Sequence, residues 1–296
     1  MKKNSIWLVS LVLIITSCGT PAGKKSDRVI TVSIPPFEYF VKAIAGDDFK
    51  INVMLPPGAD HHIWEPLPAQ INELAGSEAF ILNGQLGFEK AWMGRFSEIN
   101  PDMKILDLSR HINLIKTDGS DFEGDVHGVK SHSQGGPDPH YWMSPISARI
   151  IAQDLKNFLT ELNPGSSGKY ETGLKMLDRK IAQVDSTLRA SFSTATSKTF
   201  MIYHPALGYM ARDYGLVQVA FEDEGKSPSP ARMKELIDIA RDKKISIIFI
   251  QAEYDVRNAK SLAGETGARL IVINPMNSDW PAAVMEVGDA MGRKGE

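Results

Sequence analysis

The chain has 296 residues, 43% apolar and 8% aromatic, which is enough for two domains with ordinary cores and excludes a disordered polypeptide. A formal charge of −3 offers no basic field to a polyanion, so nucleic acid is excluded as a partner. Cys18 is the only cysteine; no intrachain disulfide can form, and a transition-metal site has to be built from histidine and carboxylate.

In chain order, Lys2 and Lys3 precede an apolar run over 6–15, well short of the roughly 20 residues that span a bilayer. Residues 1–18 therefore read as an export signal. The run ITSC ends on Cys18 and resembles the lipobox of bacterial lipoproteins. That resemblance implies cleavage before Cys18, lipidation of its thiol and a flexible tether over 19–27. The expected location is outside the cytoplasm, facing periplasm or exterior, anchored by lipid to a bacterial membrane. Without Lys2 and Lys3 the chain has 31 basic and 36 acidic residues, a net charge of −5.

Short β-branched and apolar runs at 29–34, 51–55, 79–82 and 104–108 predict strands, and segments with helical spacing at 39–45, 68–76 and 88–99 separate them. The alternation returns with strands at 199–203, 216–220, 245–250 and 269–273 and helices at 207–214, 230–242 and 257–266. Such alternation predicts parallel βα units. The expected fold class is α/β, with two parallel-sheet lobes over 28–162 and 196–296. Between them Tyr170, Leu174, Leu177, Ile181, Val184 and Leu188 form the stripe of one long helix, within a linking segment at 163–195. The polar stretch 117–139 carries Asp118, Asp121, Glu123, Asp125, His127 and His132 among Gly and Ser, and predicts a mobile surface loop.

The histidines fall at telling places. His62 follows the second predicted strand, His204 follows the strand over 199–203, and His140 precedes a helix that Ser144 and Pro145 start. Open α/β sheets bind ligands beyond the carboxyl ends of their strands. These three imidazoles can meet in a cleft between the lobes, a donor set suited to zinc and neighbouring divalent ions. Asp138 and Glu65 are candidates to hold the rings' other nitrogens.

The motifs VSIPPFEYFVKAIAGD, PPGADHHIWEP, NGQLGFEKAW, DPHYWMSP, YHPALGYMARDYGL, EGKSPSP and ETGARLIVINP occur in that order over about 28–293. Together they resemble the zinc- and manganese-binding substrate-binding proteins of bacterial ABC importers. The resemblance implies metal ligands at His62, His140 and His204 and a fourth at Asn274, where the family usually carries aspartate. Asn274, His61, Asp279 or water are the alternatives for that fourth position. It also implies a monomeric receptor that captures a metal ion and delivers it to an ABC permease in the membrane. Three imidazoles favour zinc over manganese, which prefers carboxylate oxygen. A zinc hydrolase is the competing reading, and the sequence has no HExxH pair to support it, so no enzymatic activity is expected.

Overall fold

Two four-stranded parallel sheets repeat one strand order. The computed structural model of the protein describes residues 28–61, 63–116, 136–222 and 227–292. In the first lobe β1 (Val29–Val32), β2 (Lys50–Val53), β3 (Ala79–Leu82) and β4 (Lys104–Asp107) lie in the order β2-β1-β3-β4. In the second, β5 (Thr199–Ile202), β6 (Val217–Ala220), β7 (Ile247–Gln251) and β8 (Arg269–Ile273) lie in the order β6-β5-β7-β8. Ile30 stands between Ile51 and Ala79, and Ile202 between Ala220 and Phe249. β3 and β7 are buried along their whole length, as strands covered on both faces must be. Each chain path leaves the first strand to one side and returns on the other, which puts a switch point between β1 and β3 and another between β5 and β7.

The helices of the first lobe are α1 (Pro35–Ala45), α2 (Pro68–Ala75), α3 (Gly87–Ile99) and α4 (Pro145–Leu162). α1 starts four residues earlier than its apolar spacing suggests, because Pro35 and Pro36 occupy the first turn, where a missing N–H costs nothing. Ser144 caps α4 as its sequence predicts: its hydroxyl accepts the Ile146 N–H at 3.1 Å. α5 (Ser167–Thr194) is a single 28-residue helix, about 40 Å long at 1.5 Å per residue. It buries Tyr170, Leu174, Leu177, Ile181, Val184, Leu188 and Phe192, the expected stripe extended by one turn. The second lobe contributes α6 (Gly208–Tyr214), α7 (Pro230–Asp242), α8 (Arg257–Thr266) and α9 (Trp280–Gly292).

α5 ties the lobes by packing on α1 and α4 at one side and along α9 at the other. Sequence spacing did not single out α9, and it matters to the joint. Its first residue, Trp280, is fully buried with its ring 5.2 Å from Phe40 of α1, and its Nε1 donates to the Trp142 carbonyl at 2.7 Å. Trp142 Nε1 in turn donates to the Pro275 carbonyl at 2.9 Å. The main apolar core runs without a break from Ile30 and Phe37 in the first lobe to Phe200, Leu207 and Trp280 in the second. The lobes therefore share a core rather than a flexible hinge, which limits their relative motion. No helix among the described residues is long and apolar enough to cross a membrane.

Candidate metal centre

His61, His140 and His204 converge from three separate segments, and one nitrogen of each lies within 4.8 Å of the others. All three are buried, and the ring centroids are 5.0 Å apart for His61–His140, 5.0 Å for His140–His204 and 5.9 Å for His61–His204. The rings cross at steep angles, from 65° to 86°.

Each segment is shaped locally. The chain leaves β2 into the Pro-Pro-Gly stretch, and Asp60 closes a turn by accepting the N–H groups of Ile63 at 3.2 Å and Trp64 at 3.0 Å. That turn provides the bend that carries His61 into the interior. His204 stands two residues past β5, at the switch point. Its carbonyl accepts Gln251 Nε2 at 2.6 Å and its N–H donates to Gln251 Oε1 at 3.3 Å, so the neighbouring strand end grips its backbone on both sides. His140 lies beyond the end of β3, where Asn83 Nδ2 donates to the Pro139 carbonyl at 3.0 Å and the Tyr141 hydroxyl donates to the Asn83 carbonyl at 2.8 Å.

Carboxylates orient two of the rings. Asp138 Oδ1 lies 2.8 Å from His140 Nδ1, and Glu222 Oε1 lies 2.9 Å from His204 Nδ1. A carboxylate only accepts, so each Nδ1 carries the proton and each Nε2 presents a lone pair. Burial holds the His140 imidazole below its usual pKa, against the pull of Asp138, and keeps the ring neutral as a ligand must be. His140 Nε2 and His61 Nε2 are 2.9 Å apart. They can share a proton at that distance; around zinc, with bonds of 2.0–2.1 Å, they would open to about 3.3 Å. Two carboxylates behind three neutral imidazoles also balance the charge of one divalent ion.

His140 and His204 stand where the sequence reading put them. For the third, the buried position is taken by His61; His62 lies outside the described residues. The turn closed by the Asp60 carbonyl holds His61 in that buried position. Asn274 has a different role: it is exposed on the turn after β8, and its side-chain oxygen accepts the Met276 N–H at 3.0 Å. Asp279 caps α9, accepting the Ala282 N–H at 3.2 Å. Asp138 holds a ring as expected, whereas Glu65 is exposed. Among the described residues no fourth His, Cys, Asp or Glu joins the group. Cys18, His127 and His132 lie outside the described residues.

Glu222 and Gln251 went unread in the sequence although a signal for both exists. β6 pairs with β5 and β7 with β5, so residues at or just past either strand's carboxyl end, Gln251 closing β7 and Glu222 two beyond β6, flank His204. The ligand rule applied to the neighbouring strand ends, and not only to the strand that bears the histidine, finds both.

Two α/β lobes joined by a long helix, with imidazoles from both lobes gathered between them, define a two-lobed metal-binding receptor. Residues 30–285 match the family described as ZnuA, zinc-uptake complex component A, periplasmic, and the chain belongs to that family. The zinc-binding lipoprotein AdcA of Streptococcus pneumoniae (strain ATCC BAA-255 / R6) is 27% identical over 286 residues, covering 94% of this chain and 56% of the relative. The chain thus spans little more than half the length of that relative. The high-affinity zinc uptake system protein ZnuA of Bacillus subtilis (strain 168) is 26% identical over 280 residues, covering 91% of this chain and 86% of the relative. A crystal structure of ZnuA superposes with a TM-score of 0.80 at 30% identity, covering 90% of this chain and 98% of the other. A ZnuA deletion mutant with zinc bound gives 0.79 at 30% identity, covering 90% and 96%.

Proposed function

We propose that the protein is an extracytoplasmic receptor that binds one Zn²⁺ through His61, His140 and His204, with water as the fourth ligand, and passes it to an ABC import permease. The observation that carries this reading is the meeting of three buried imidazoles, two of them backed by carboxylates, between the lobes. Imidazole nitrogen in a small shell suits zinc better than manganese. The relatives bearing zinc in their names support the same choice. Anchoring through a lipidated Cys18 would keep the receptor beside the membrane, and the lipoprotein relative supports it. The shared core and the α5 strut leave capture and release to small movements of the loops bearing His61 and His140, not to wide lobe closure.

Titration of the chelator-stripped, full-length protein with Zn²⁺ tests the reading. One ion per chain, bound more tightly than Mn²⁺ and lost together with binding in a His140→Ala, His204→Ala variant, is the expected result. Wild-type protein that binds no zinc, or a double variant that binds it unchanged, refutes the assignment.

A further inference from the structure

We propose that Tyr209 is a positioning residue for His140, its hydroxyl joining the ligand-bearing segment of one lobe to that of the other. The inference rests on the reading of His140 as a metal ligand. Residues 136–140 belong to no helix or strand, so no ladder of backbone hydrogen bonds fixes the imidazole. Asp138 does so instead: its Oδ1 accepts from both the backbone N–H and the Nδ1 of His140, each at 2.8 Å. The ring therefore goes wherever Asp138 goes.

Asp138 is itself held from the other lobe. The Tyr209 hydroxyl donates to its carbonyl at 2.6 Å and accepts the Ile115 N–H at 3.1 Å, while the Asp138 N–H donates to the Ile115 carbonyl at 2.9 Å. One phenol thus uses its donor and an acceptor to close both strands of the chain that meet below His140. Tyr209 is fully buried, its ring edge-on to Tyr141 at 6.2 Å and 5.0 Å from the Arg212 guanidinium, so it has little freedom to follow a shift. The preceding residue shows that this approach is built in. A Cβ at Gly208 would lie 2.8 Å from Asp138 Oδ2, so a larger residue there forces the Asp138 carboxylate or α6 to shift. Tyr209 follows His204 by five residues, and Leu207 between them is pinned by Gln218 Oε1 at 2.8 Å. A short rigid path therefore runs from His204 through α6 to Asp138 and His140. Without the hydroxyl, the Ile115 N–H and the Asp138 carbonyl lose a buried partner, and Asp138 moves to recover one. Displacements of half an ångström matter in a metal shell.

The test compares full-length wild type with Tyr209→Phe, using Zn²⁺ in competition with a chelator and Co²⁺ as a visible probe of ligand geometry. Tyr209→Phe is expected to bind Zn²⁺ about tenfold more weakly, to shift the Co²⁺ absorption bands, and to add no further loss in a His140→Ala background. Gly208→Ala, which pushes on Asp138 from the same helix, is expected to do likewise and supplies the result should Tyr209→Phe not fold. Wild-type affinity and an unchanged Co²⁺ spectrum in the folded variants overturn the proposal, as does an equal loss in the His140→Ala background. Wild type that fails to bind zinc would instead refute the functional reading on which the proposal rests.

Discussion

His204 Nδ1 and Glu222 Oε1 are 2.9 Å apart, two residues that leave adjacent parallel strands at the same level. The Glu222 N–H also donates to the Tyr203 carbonyl at 3.1 Å, so the carboxylate is carried on the sheet itself. Its other oxygen is buried with no hydrogen-bond partner among the described residues. A half-used buried carboxylate is costly, and its charge is useful only beside a cation. Glu222→Gln keeps an acceptor for Nδ1 but removes the charge and is expected to weaken Zn²⁺ binding about tenfold; Glu222→Ala loses both and should cost closer to 100-fold. Chelator competition reads both values, and unchanged affinity in the alanine variant would remove Glu222 from the site.

The adjacent histidines separate two accounts of the first ligand. The structure buries His61 at 3% exposure against His140, whereas the family resemblance implies His62. Losing one of three imidazoles from a shell costs far more than losing a neighbour outside it. His61→Ala is therefore expected to weaken Zn²⁺ binding by at least 100-fold, and His62→Ala by less than tenfold, the larger figure following the scale for loss of a supporting partner. Calorimetric titration of the two variants decides the matter; the reverse order would assign the shell to His62.

Much of this was legible in the chain because it depends on local pattern. Short β-branched and apolar runs marked the eight strands, and the uninterrupted stripe from Leu174 to Leu188 marked α5. His140 and His204 were visible because strand ends and helix starts have sequence signatures. What escaped depends on pairings between distant residues. Tyr209 and Asp138 are 71 residues apart, Gln251 and His204 47, and Trp280 and Trp142 138, and no periodicity encodes a hydrogen bond between such segments. The burial of His61 was not legible for the opposite reason: it depends on a single local turn, closed by the Asp60 carbonyl, to which composition is blind.

Two glycines of α5 should respond to alanine with opposite signs. In a helix, alanine is ordinarily better than glycine by about 1 kcal/mol. At Gly168 a Cβ would meet nothing within 4 Å, so Gly168→Ala is expected to raise stability by up to that amount. At Gly173 a Cβ would lie 2.4 Å from the Ile44 carbonyl oxygen and 2.8 Å from its Cα, which is backbone and cannot swing aside. Gly173→Ala forces α5 away from α1 and is expected to cost about 1–3 kcal/mol. Thermal denaturation of the metal-free protein should show a small rise in Tm for the first and a fall of several degrees for the second. A neutral Gly173→Ala would mean that α5 does not rest on α1 so closely.

Glu89 makes the last prediction, on pH. Its side chain, 2% exposed at the start of α3, accepts the N–H groups of Asn83 at 2.7 Å, Gly84 at 2.7 Å and Leu86 at 3.3 Å. Burial raises its pKa to about 7, with those hydrogen bonds and Ser33 pulling the other way. An acid whose folded pKa exceeds its unfolded value contributes full stability below the unfolded value and loses it as pH rises toward the folded one. Between about pH 4.5 and 7 the folded state holds the proton that the unfolded chain has released, so this group removes roughly 3 kcal/mol of stability across that window. Glu89→Gln cannot ionise. It should lose this part of the slope, so that the wild-type-minus-variant stability difference falls as pH goes from 5 to 7.5. Urea denaturation of both metal-free proteins at those two pH values measures the difference directly. A constant difference would mean that the three backbone N–H groups outweigh burial and keep Glu89 ionised throughout.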